Sequence, residues 1–430
     1  MHYYSTNKQS PVVDFREAAI RGQAPDKGLY FPEVLPRFSG LVEDIHRLSD
    51  EEIAFRVIQP YVGDCIPASV LEAIVRETIS FPMPLVRLNE RVSVLELFHG
   101  PTLAFKDVGA RFMSRCLGYF LQEEKRKVTV LVATSGDTGG AVAHGFHGVP
   151  GVEVVILYPS GKVSPVQEKQ LTTLGQNIKA LEVLGSFDDC QQLVKEAFAD
   201  VEMTDELFLT SANSINVARW LPQQFYYFFA YKQWKHKEAP PVIAVPSGNF
   251  GNICAGLLAM QTGLPVEHFI AACNINDVVS DYLQTQQWQV RKAQPTLSNA
   301  MDVGNPSNFV RILELFQQQF PAIREALSAA TITDEETMRT ISAVESKFGY
   351  VLDPHGAVGY LALERYLDKH VGEAGIFLET AHPVKFPEAV EKAIGRSIEL
   401  PASLQTLMRK EKVATLIRPV YRELKSFLLG

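Results

Sequence analysis

The sequence predicts an α/β fold in which parallel sheets are covered by helices on both faces. Two series of alternating strand and helix patterns carry that expectation. The first begins at Lys127, where the β-branched or apolar runs Val128–Val132, Val152–Leu157 and Ile178–Val183 are separated by segments of helical pattern. The second begins after Pro241, with Val242–Val245 and Phe269–Cys273 as strands and Asn252–Gln261 as a helix between them. A 46% hydrophobic fraction over 430 residues supplies enough core for two or three domains.

In chain order, residues 1 to about 90 read as helical and irregular by turns. The stretch Gly22 to Pro32 is a loop dense in breakers. Asp50-Glu51-Glu52 opens one helix and Pro67-Ala68-Ser69 another. Pro82-Met83-Pro84 makes an extended connector, and a domain boundary is placed there, ahead of a Val92–Phe98 strand. His99-Gly-Pro-Thr-Leu-Ala-Phe-Lys106-Asp107 is then a loop feeding a helix that runs to Phe120. Asp107 suits the first turn, where the helix dipole favours negative charge. Lys106, at that helix entrance beside Phe105, is positioned to lose part of its hydration. A desolvated lysine has a lowered pKa and becomes a nucleophilic amine. The alternative is an ordinary surface lysine.

Further along, Thr134 to Gly140 is a turn and Ala141–Phe146 starts a helix. Helices are expected at Ser164–Leu174 and Asp188–Phe198, and a long aromatic helix through Trp220, Tyr227 and Tyr231 reads as packing. Thr333-Asp-Glu-Glu336 is a capping box for a helix ending at Gly349. Asp353-Pro-His-Gly356 leads into one more helix, and Ile376–Leu378 is a strand ending at Glu379-Thr-Ala-His-Pro383. There is no internal repeat and no low-complexity segment.

The net charge of −8, without a basic tract, argues against nucleic acid as a partner. The apolar runs are too short and broken to span a membrane. Met1-His2-Tyr3-Tyr4-Ser5 has neither a charged nor an apolar leader pattern, so a cytosolic protein is expected. The five cysteines, at 65, 116, 190, 254 and 273, are scattered singly, which fits reduced core thiols rather than disulfides or a metal site.

Four loops share one architectural position, the C-terminal end of a strand just before a helix: Thr134–Gly140, Ser160–Ser164, Pro246–Gly251 and Thr380–Lys385. Open α/β sheets bind ligands at that edge. Pro246-Ser-Gly-Asn-Phe-Gly-Asn252 lacks the lysine of a Walker loop and is not G-x-G-x-x-G, but its amides and helix dipole suit a phosphate. A tight turn needing glycine for positive φ is the other reading. Ser135 and Thr138 could hold a carboxylate or merely cap a helix. Asn213, Ser214 and Arg219 suit a doubly charged phosphate, unless Arg219 is a surface ion pair.

These motifs, with Leu297-Ser-Asn-Ala-Met-Asp302, Tyr4-Ser-Thr6 and Ala24-Pro-Asp-Lys-Gly-Leu-Tyr-Phe-Pro32, resemble the threonine synthase family, in its longer microbial and fungal branch. The resemblance runs in order from residue 3 to past residue 383. It implies a fold-type II pyridoxal-phosphate enzyme, similar to the tryptophan synthase β subunit. The cofactor would lie between two three-layer parallel-sheet domains, behind a mostly helical N-terminal segment. The domains would be residues 1–90, 91–220 and 221–430, the second carrying the cofactor lysine and substrate loop and the third the cofactor phosphate loop.

By the same resemblance, Lys106 would carry pyridoxal 5'-phosphate on its amine. Gly248, Asn249, Phe250, Gly251 and Asn252 would wrap the cofactor phosphate, and Thr380 would meet the pyridine nitrogen. Ser135 and Thr138 would hold the substrate carboxylate. Asn213, Ser214 and Arg219 would hold the substrate phosphate. Asp137 stands where the short branch has an asparagine facing the cofactor phenolate oxygen. An ionised carboxylate would repel that oxygen, so Asp137 is expected protonated, or turned to the substrate ammonium or to loop amides. The implied reaction turns O-phospho-L-homoserine into L-threonine and phosphate, the last step of threonine biosynthesis. Lys106 would be its base and Arg219 would stabilise the departing phosphate. The alternatives are a related phospho-lyase, a serine/threonine dehydratase, or a non-catalytic cofactor carrier. A monomer or dimer is expected, with no metal. His99, His144 and His147 are further candidates that structural roles could equally explain.

Overall fold

A run of apolar residues with no polar alternation is buried on both faces, and such runs are the strands that parallel sheets use. The computed structural model describes residues 1–122, 127–236 and 239–430. Strands Val128–Ala133, Val242–Pro246 and Gly375–Glu379 are buried at every position. The larger sheet places Leu327–Thr331, His268–Cys273, Val242–Pro246, Gly375–Glu379 and Val92–Glu96 side by side and parallel, with Leu85–Arg87 antiparallel at one edge. The smaller sheet is wholly parallel, in the order Thr415–Ile417, Ile178–Val183, Val152–Pro159, Val128–Ala133, Phe208–Thr210.

Membership of the two sheets is interleaved along the chain rather than divided at residues 90 and 220. Val92–Glu96 joins the larger sheet through Gly375–Glu379, and Thr415–Ile417 returns to the smaller one. The N-terminal segment is mostly helical, as expected, with helices Phe15–Arg21, Ser39–Asp44, Asp50–Val62 and Ala68–Thr78, but it also carries a small sheet. Val13–Asp14, His2–Ser5 and Tyr30–Pro32 form a three-stranded antiparallel sheet. Strands of two to four residues are too short for period-two alternation to register. They are held instead by burial of Tyr3 and Tyr30 and by the Tyr3 hydroxyl, which donates to the Tyr61 carbonyl at 2.7 Å.

Two other expectations change in detail. The helix after residue 134 begins at Asp137, not Ala141, so the whole Asp-Thr-Gly-Gly stretch is its first turn. The aromatic helix is broken into Val217–Trp220, a 3-10 turn Leu221–Gln223 and Gln224–Gln233. Pro222, which brings no N–H to a continuous helix, sits at the break. Every residue from Val217 to Ala230 is buried. One hydrophobic cluster joins Phe15 and Tyr61 of the N-terminal segment, Phe112, Trp220, Phe225 and Phe228, and strand residues of both sheets such as Val130 and Ile243. Four of the five cysteines are buried and all are free. Among the described residues no helix is long and apolar enough to cross a membrane, and no group of His, Cys, Asp or Glu is arranged to hold a metal.

Arg311, fully buried on helix Phe309–Leu315, ties the N-terminal sheet to this core. Its Nη2 donates to the carbonyls of Tyr30 and Ile215 at 3.0 and 2.6 Å, and its Nη1 to Asn308 Oδ1 at 2.8 Å. The guanidinium lies 4.3 Å from the Trp220 ring centroid. Replacing it strands three buried acceptors, each costing on the order of 1–3 kcal/mol when unpaired. Arg311→Met is therefore expected to lower unfolding free energy by about 3 kcal/mol, read from the urea midpoint. A loss under about 1 kcal/mol would mean that these acceptors find other partners.

Candidate active site

The loop before Lys106 is fixed by the residue after it. Asp107, in the first turn of helix Lys106–Phe120, is buried, and its carboxylate accepts from the Thr102 amide at 2.9 Å and the Thr102 hydroxyl at 2.6 Å. This closes residues 102–107 into a compact turn whose far side pairs with the next strand end. Phe105 N–H donates to the Thr380 carbonyl at 2.9 Å, His382 N–H to the Leu103 carbonyl at 3.0 Å, and Ala104 bridges Ala381. Lys106 is thus held against the Thr380–Lys385 loop.

The Lys106 side chain is 15% exposed, with Nζ 5.6 Å from the Phe105 ring centroid and 4.0 Å from Asp137 Oδ2. Burial pushes its amine down to about 8; Asp137 pulls it up, while Lys385 and Arg219 press it down further. At pH 7 roughly a tenth of such a lysine is the free amine, against well under a thousandth for an unperturbed one. The surface-lysine alternative does not fit this environment.

Asp137 has a partner that sequence reasoning missed. Lys385, with no exposed surface, donates to Asp137 Oδ1 at 2.6 Å and to the Thr102 carbonyl at 2.8 Å. Gln167 Nε2 donates to the same Asp137 oxygen at 2.9 Å. Burial raises the Asp137 carboxyl, but the charges of Lys385 and Lys106 outweigh it and hold the group well below the usual carboxylate range. Asp137 is therefore ionised, which corrects the expectation of a protonated acid, and its contacts are two side chains rather than loop amides. Lys385 closes a loop that the sequence delimits, yet a lone lysine in the 3-10 turn Pro383–Lys385 carries no pattern. Gln167 was hidden in the same way: it completes the capping box with Ser164 on helix Pro165–Thr172 and also reaches Asp137. Gly136, at φ +133°, has no room for a side chain, since a Cβ would lie 2.4 Å from Gln167. Ser135 and Thr138 flank Asp137, half-buried, while Thr134 Oγ1 accepts from the Gly136 and Gly139 amides and shapes the turn.

The Pro246–Asn252 loop leads into helix Gly251–Gln261, whose N-cap residue Phe250 offers no side-chain cap, while Asn252 Oδ1 accepts the Ile253 amide at 2.9 Å. Phe250 holds the left-handed conformation at φ +61° despite its bulk. Such a residue persists only where its surroundings fix it. Phe250 packs edge-on to Phe309 at 6.0 Å, and Asn249 Oδ1 accepts from the Ser307 amide at 2.6 Å. Asn252 Nδ2 donates to the Pro246 carbonyl at 2.8 Å, closing the turn. A Cβ on Gly248 would lie 2.7 Å from the Ala300 carbonyl, inside the Leu297–Asp302 motif.

Ser214 adjoins this loop. Its Oγ accepts from Asn249 Nδ2 at 2.7 Å and from Asn308 Nδ2 at 3.2 Å. Both lone pairs are then used, and the hydroxyl proton is left for a ligand. Asn213 is half-buried beside it. Arg219 is 3% exposed, donates through Nη1 to the Ala212 carbonyl, and has a buried Nε without a partner. Among the described residues it forms no ion pair with a carboxylate, so it is not the surface pair that was the alternative. Thr380 is buried at the end of strand Gly375–Glu379, next to Glu379, whose carboxyl is pushed well up by burial and by Asp353.

The histidines divide. His99 Nε2 lies 2.7 Å from Glu96. His144 is half-buried, with a buried and unpartnered Nε2, and desolvation pushes it down to about 4. His147 ends helix Asp137–Phe146. None of the three hydrogen-bonds to Lys106, Asp137 or Arg219 among the described residues. His355, by contrast, supports Ala300: its Nε2 accepts that amide at 3.2 Å, which places its proton on Nδ1, 2.5 Å from Asp353 Oδ2.

Residues 79–378 match the family described as pyridoxal-phosphate dependent enzyme. Residues 2–79 match threonine synthase N terminus, and residues 356–428 match threonine synthase, C-terminal. The chain is 46% identical to threonine synthase of Escherichia coli (strain K12) over 406 residues, 94% of either chain. It is 37% identical to that of Saccharomyces cerevisiae, over 91% of this chain and 89% of the relative. The crystal structure of threonine synthase from Escherichia coli has a TM-score of 0.93 at 44% identity, over 100% of this chain and 99% of that one. The PLP-bound threonine synthase from Brucella melitensis has a TM-score of 0.92 at 39% identity, over 100% and 98%. The processed form of threonine deaminase isoform 2 from Solanum lycopersicum, 14% identical with a TM-score of 0.59 over 85% of this chain and 94% of that one, shares the fold alone.

Gly248 has no room for a side chain against the Ala300 carbonyl. Gly248→Val or Gly251→Val should displace the loop and weaken pyridoxal-phosphate affinity roughly tenfold or more, about 1.4 kcal/mol, in a spectroscopic titration. Wild-type affinity in both variants would leave the loop as a turn without a ligand.

Proposed function

The chain belongs to the threonine synthase family of pyridoxal-phosphate-dependent lyases, and on that premise we propose that it converts O-phospho-L-homoserine and water to L-threonine and inorganic phosphate. The observation that carries the substrate assignment is Arg219, a buried guanidinium without a carboxylate partner among the described residues. It stands apart in sequence from the start of helix Gly251–Gln261. A buried guanidinium in addition to that helix start suits a substrate phosphate as well as a cofactor phosphate; a dehydratase acting on serine or threonine needs only the cofactor's.

The residues present fit pyridoxal phosphate. Lys106 supplies a desolvated amine, the loop Gly248–Asn252 supplies backbone amides at a helix start, and Thr380 supplies a hydroxyl for the ring nitrogen. When bound, the cofactor supplies the electron sink that makes substrate C–H bonds acidic.

The chain's own groups do the rest. Ser135 and Thr138, on the turn beside Asp137, hold the substrate carboxylate. Arg219 with Asn213 and Ser214 holds the substrate phosphate and takes up its charge as the Cγ–O bond breaks. Lys106 Nζ, poised near neutrality, accepts the proton from Cα and then from Cβ. In the net reaction phosphate leaves Cγ, Cγ gains a proton and Cβ gains the hydroxyl of water.

Purified protein given phosphohomoserine should release phosphate and threonine in equal amounts; ammonia with a keto acid would favour the dehydratase. Borohydride treatment of the cofactor-loaded protein should fix the label on Lys106, and Lys106→Ala should lose turnover almost entirely. A label on another lysine would remove Lys106 from its role. Arg219→Ala should retain the cofactor spectrum yet lose roughly 1.5–3 kcal/mol of substrate interaction, about ten- to 150-fold in kcat/KM. Arg219→Lys should recover part of it, because an ammonium lacks the planar fork. Unchanged kcat/KM in the alanine variant would reopen the dehydratase reading.

A further inference from the structure

We propose that Lys385 is a positioning residue of this site: by taking Asp137 as its own close ion-pair partner at 2.6 Å, it holds Lys106 to a long 4.0 Å contact with that carboxylate and leaves its amine free to react. The inference rests on Lys106 being the cofactor-bearing lysine, and it assigns Lys385 a role that differs from holding the fold together.

The geometry is unequal. Asp137 Oδ1 receives Lys385 at 2.6 Å and Gln167 at 2.9 Å, while Oδ2 stands 4.0 Å from Lys106. Without Lys385, Asp137 would be a buried carboxylate with Lys106 as its only nearby cation, and the two would collapse into a pair that locks Lys106 as an ammonium. Lys385 cannot swing away to permit this. It is fully buried, follows closely on the strand end at Glu379, and is anchored a second time by the Thr102 carbonyl at 2.8 Å. That carbonyl is itself fixed by the Thr102–Asp107 clamp and also accepts Gln170 Nε2 at 3.0 Å. A buried ion pair is weak evidence for stability, because desolvation offsets its attraction. Two buried lysines around one carboxylate make a functional assignment the better account. The charged groups that act on Lys106 are Asp137 from helix Asp137–Phe146, Lys385 from the turn after Gly375–Glu379, Arg219 from Val217–Trp220 and Asp353 from the cap of Pro354–Leu367.

The test is the pH profile of Lys106 carbamylation by cyanate, which reacts with the free amine. It is read by peptide mass spectrometry on the full-length chain freed of cofactor. In the wild type the midpoint is expected near pH 8. Lys385→Met should move it up by about one unit, lowering the free-amine fraction at pH 7 about tenfold. Lys385→Arg, which keeps the charge, should restore most of the wild-type profile. Asp137→Asn should move the midpoint down, the opposite direction. A purely structural tie predicts no signed pair of shifts. An unchanged or lowered midpoint in Lys385→Met overturns the proposal, and so does a raised one in Asp137→Asn, which decides the matter even where Lys385→Met fails to fold. The cyanate profile needs no cofactor. A borohydride label on another lysine would therefore overturn the cofactor assignment of Lys106 while leaving its pairing measured.

Discussion

Lys106 and Lys385 share one buried carboxylate, Asp137, while Arg219 adds its charge on the side of Lys106, and that imbalance governs the site. Lys385 sits 2.6 Å from Asp137, Lys106 is 4.0 Å away, and Arg219 forms no ion pair among the described residues. Unpaired charge in a dry interior is costly, so the arrangement is complete only when anions enter. On the proposed function, a cofactor and a substrate that each bring a phosphate would supply them. The binding affinity and the poised amine of Lys106 thus share one origin, the protein's retention of positive charge that it does not neutralise internally.

The scaffold makes this tolerable by over-determining every loop that carries a charge. Asp107 grips Thr102, whose carbonyl grips Lys385. Gln167 caps its own helix and steadies Asp137 with the same amide group. Asn308 holds both Ser214 and the Asn249 carbonyl, and is in turn held by Arg311 from the core. Each loop is fixed by contacts to a different element.

Strands such as Val128–Ala133, the capping box at Thr333 and the four strand-end loops were legible because each leaves a local pattern of periodicity or turn chemistry. The place of Lys106 at a helix entrance was legible as well, since turn, helix start and lysine fall within a single short stretch. What escaped depends on contacts between distant segments. Lys385 meets Asp137 across most of the chain, and no spacing rule records that. The ionisation of Asp137 could not be read without it, because burial alone argues for a proton and only the partner reverses the sign. The N-terminal sheet was missed for a different reason, its strands being too short for their alternation to be detected.

The pairing of Val92–Glu96 with Gly375–Glu379, and of Ile178–Val183 with Thr415–Ile417, has a consequence for how the protein comes into being. On the ribosome, both sheets remain open until nearly the whole polypeptide has emerged, and loop closure over such separations is slow. Lys106 and Asp137 are synthesised long before Lys385, the residue that meets Asp137 at 2.6 Å. The contact that sets Lys106 and the last strand of the smaller sheet are thus both supplied by the final part of the chain.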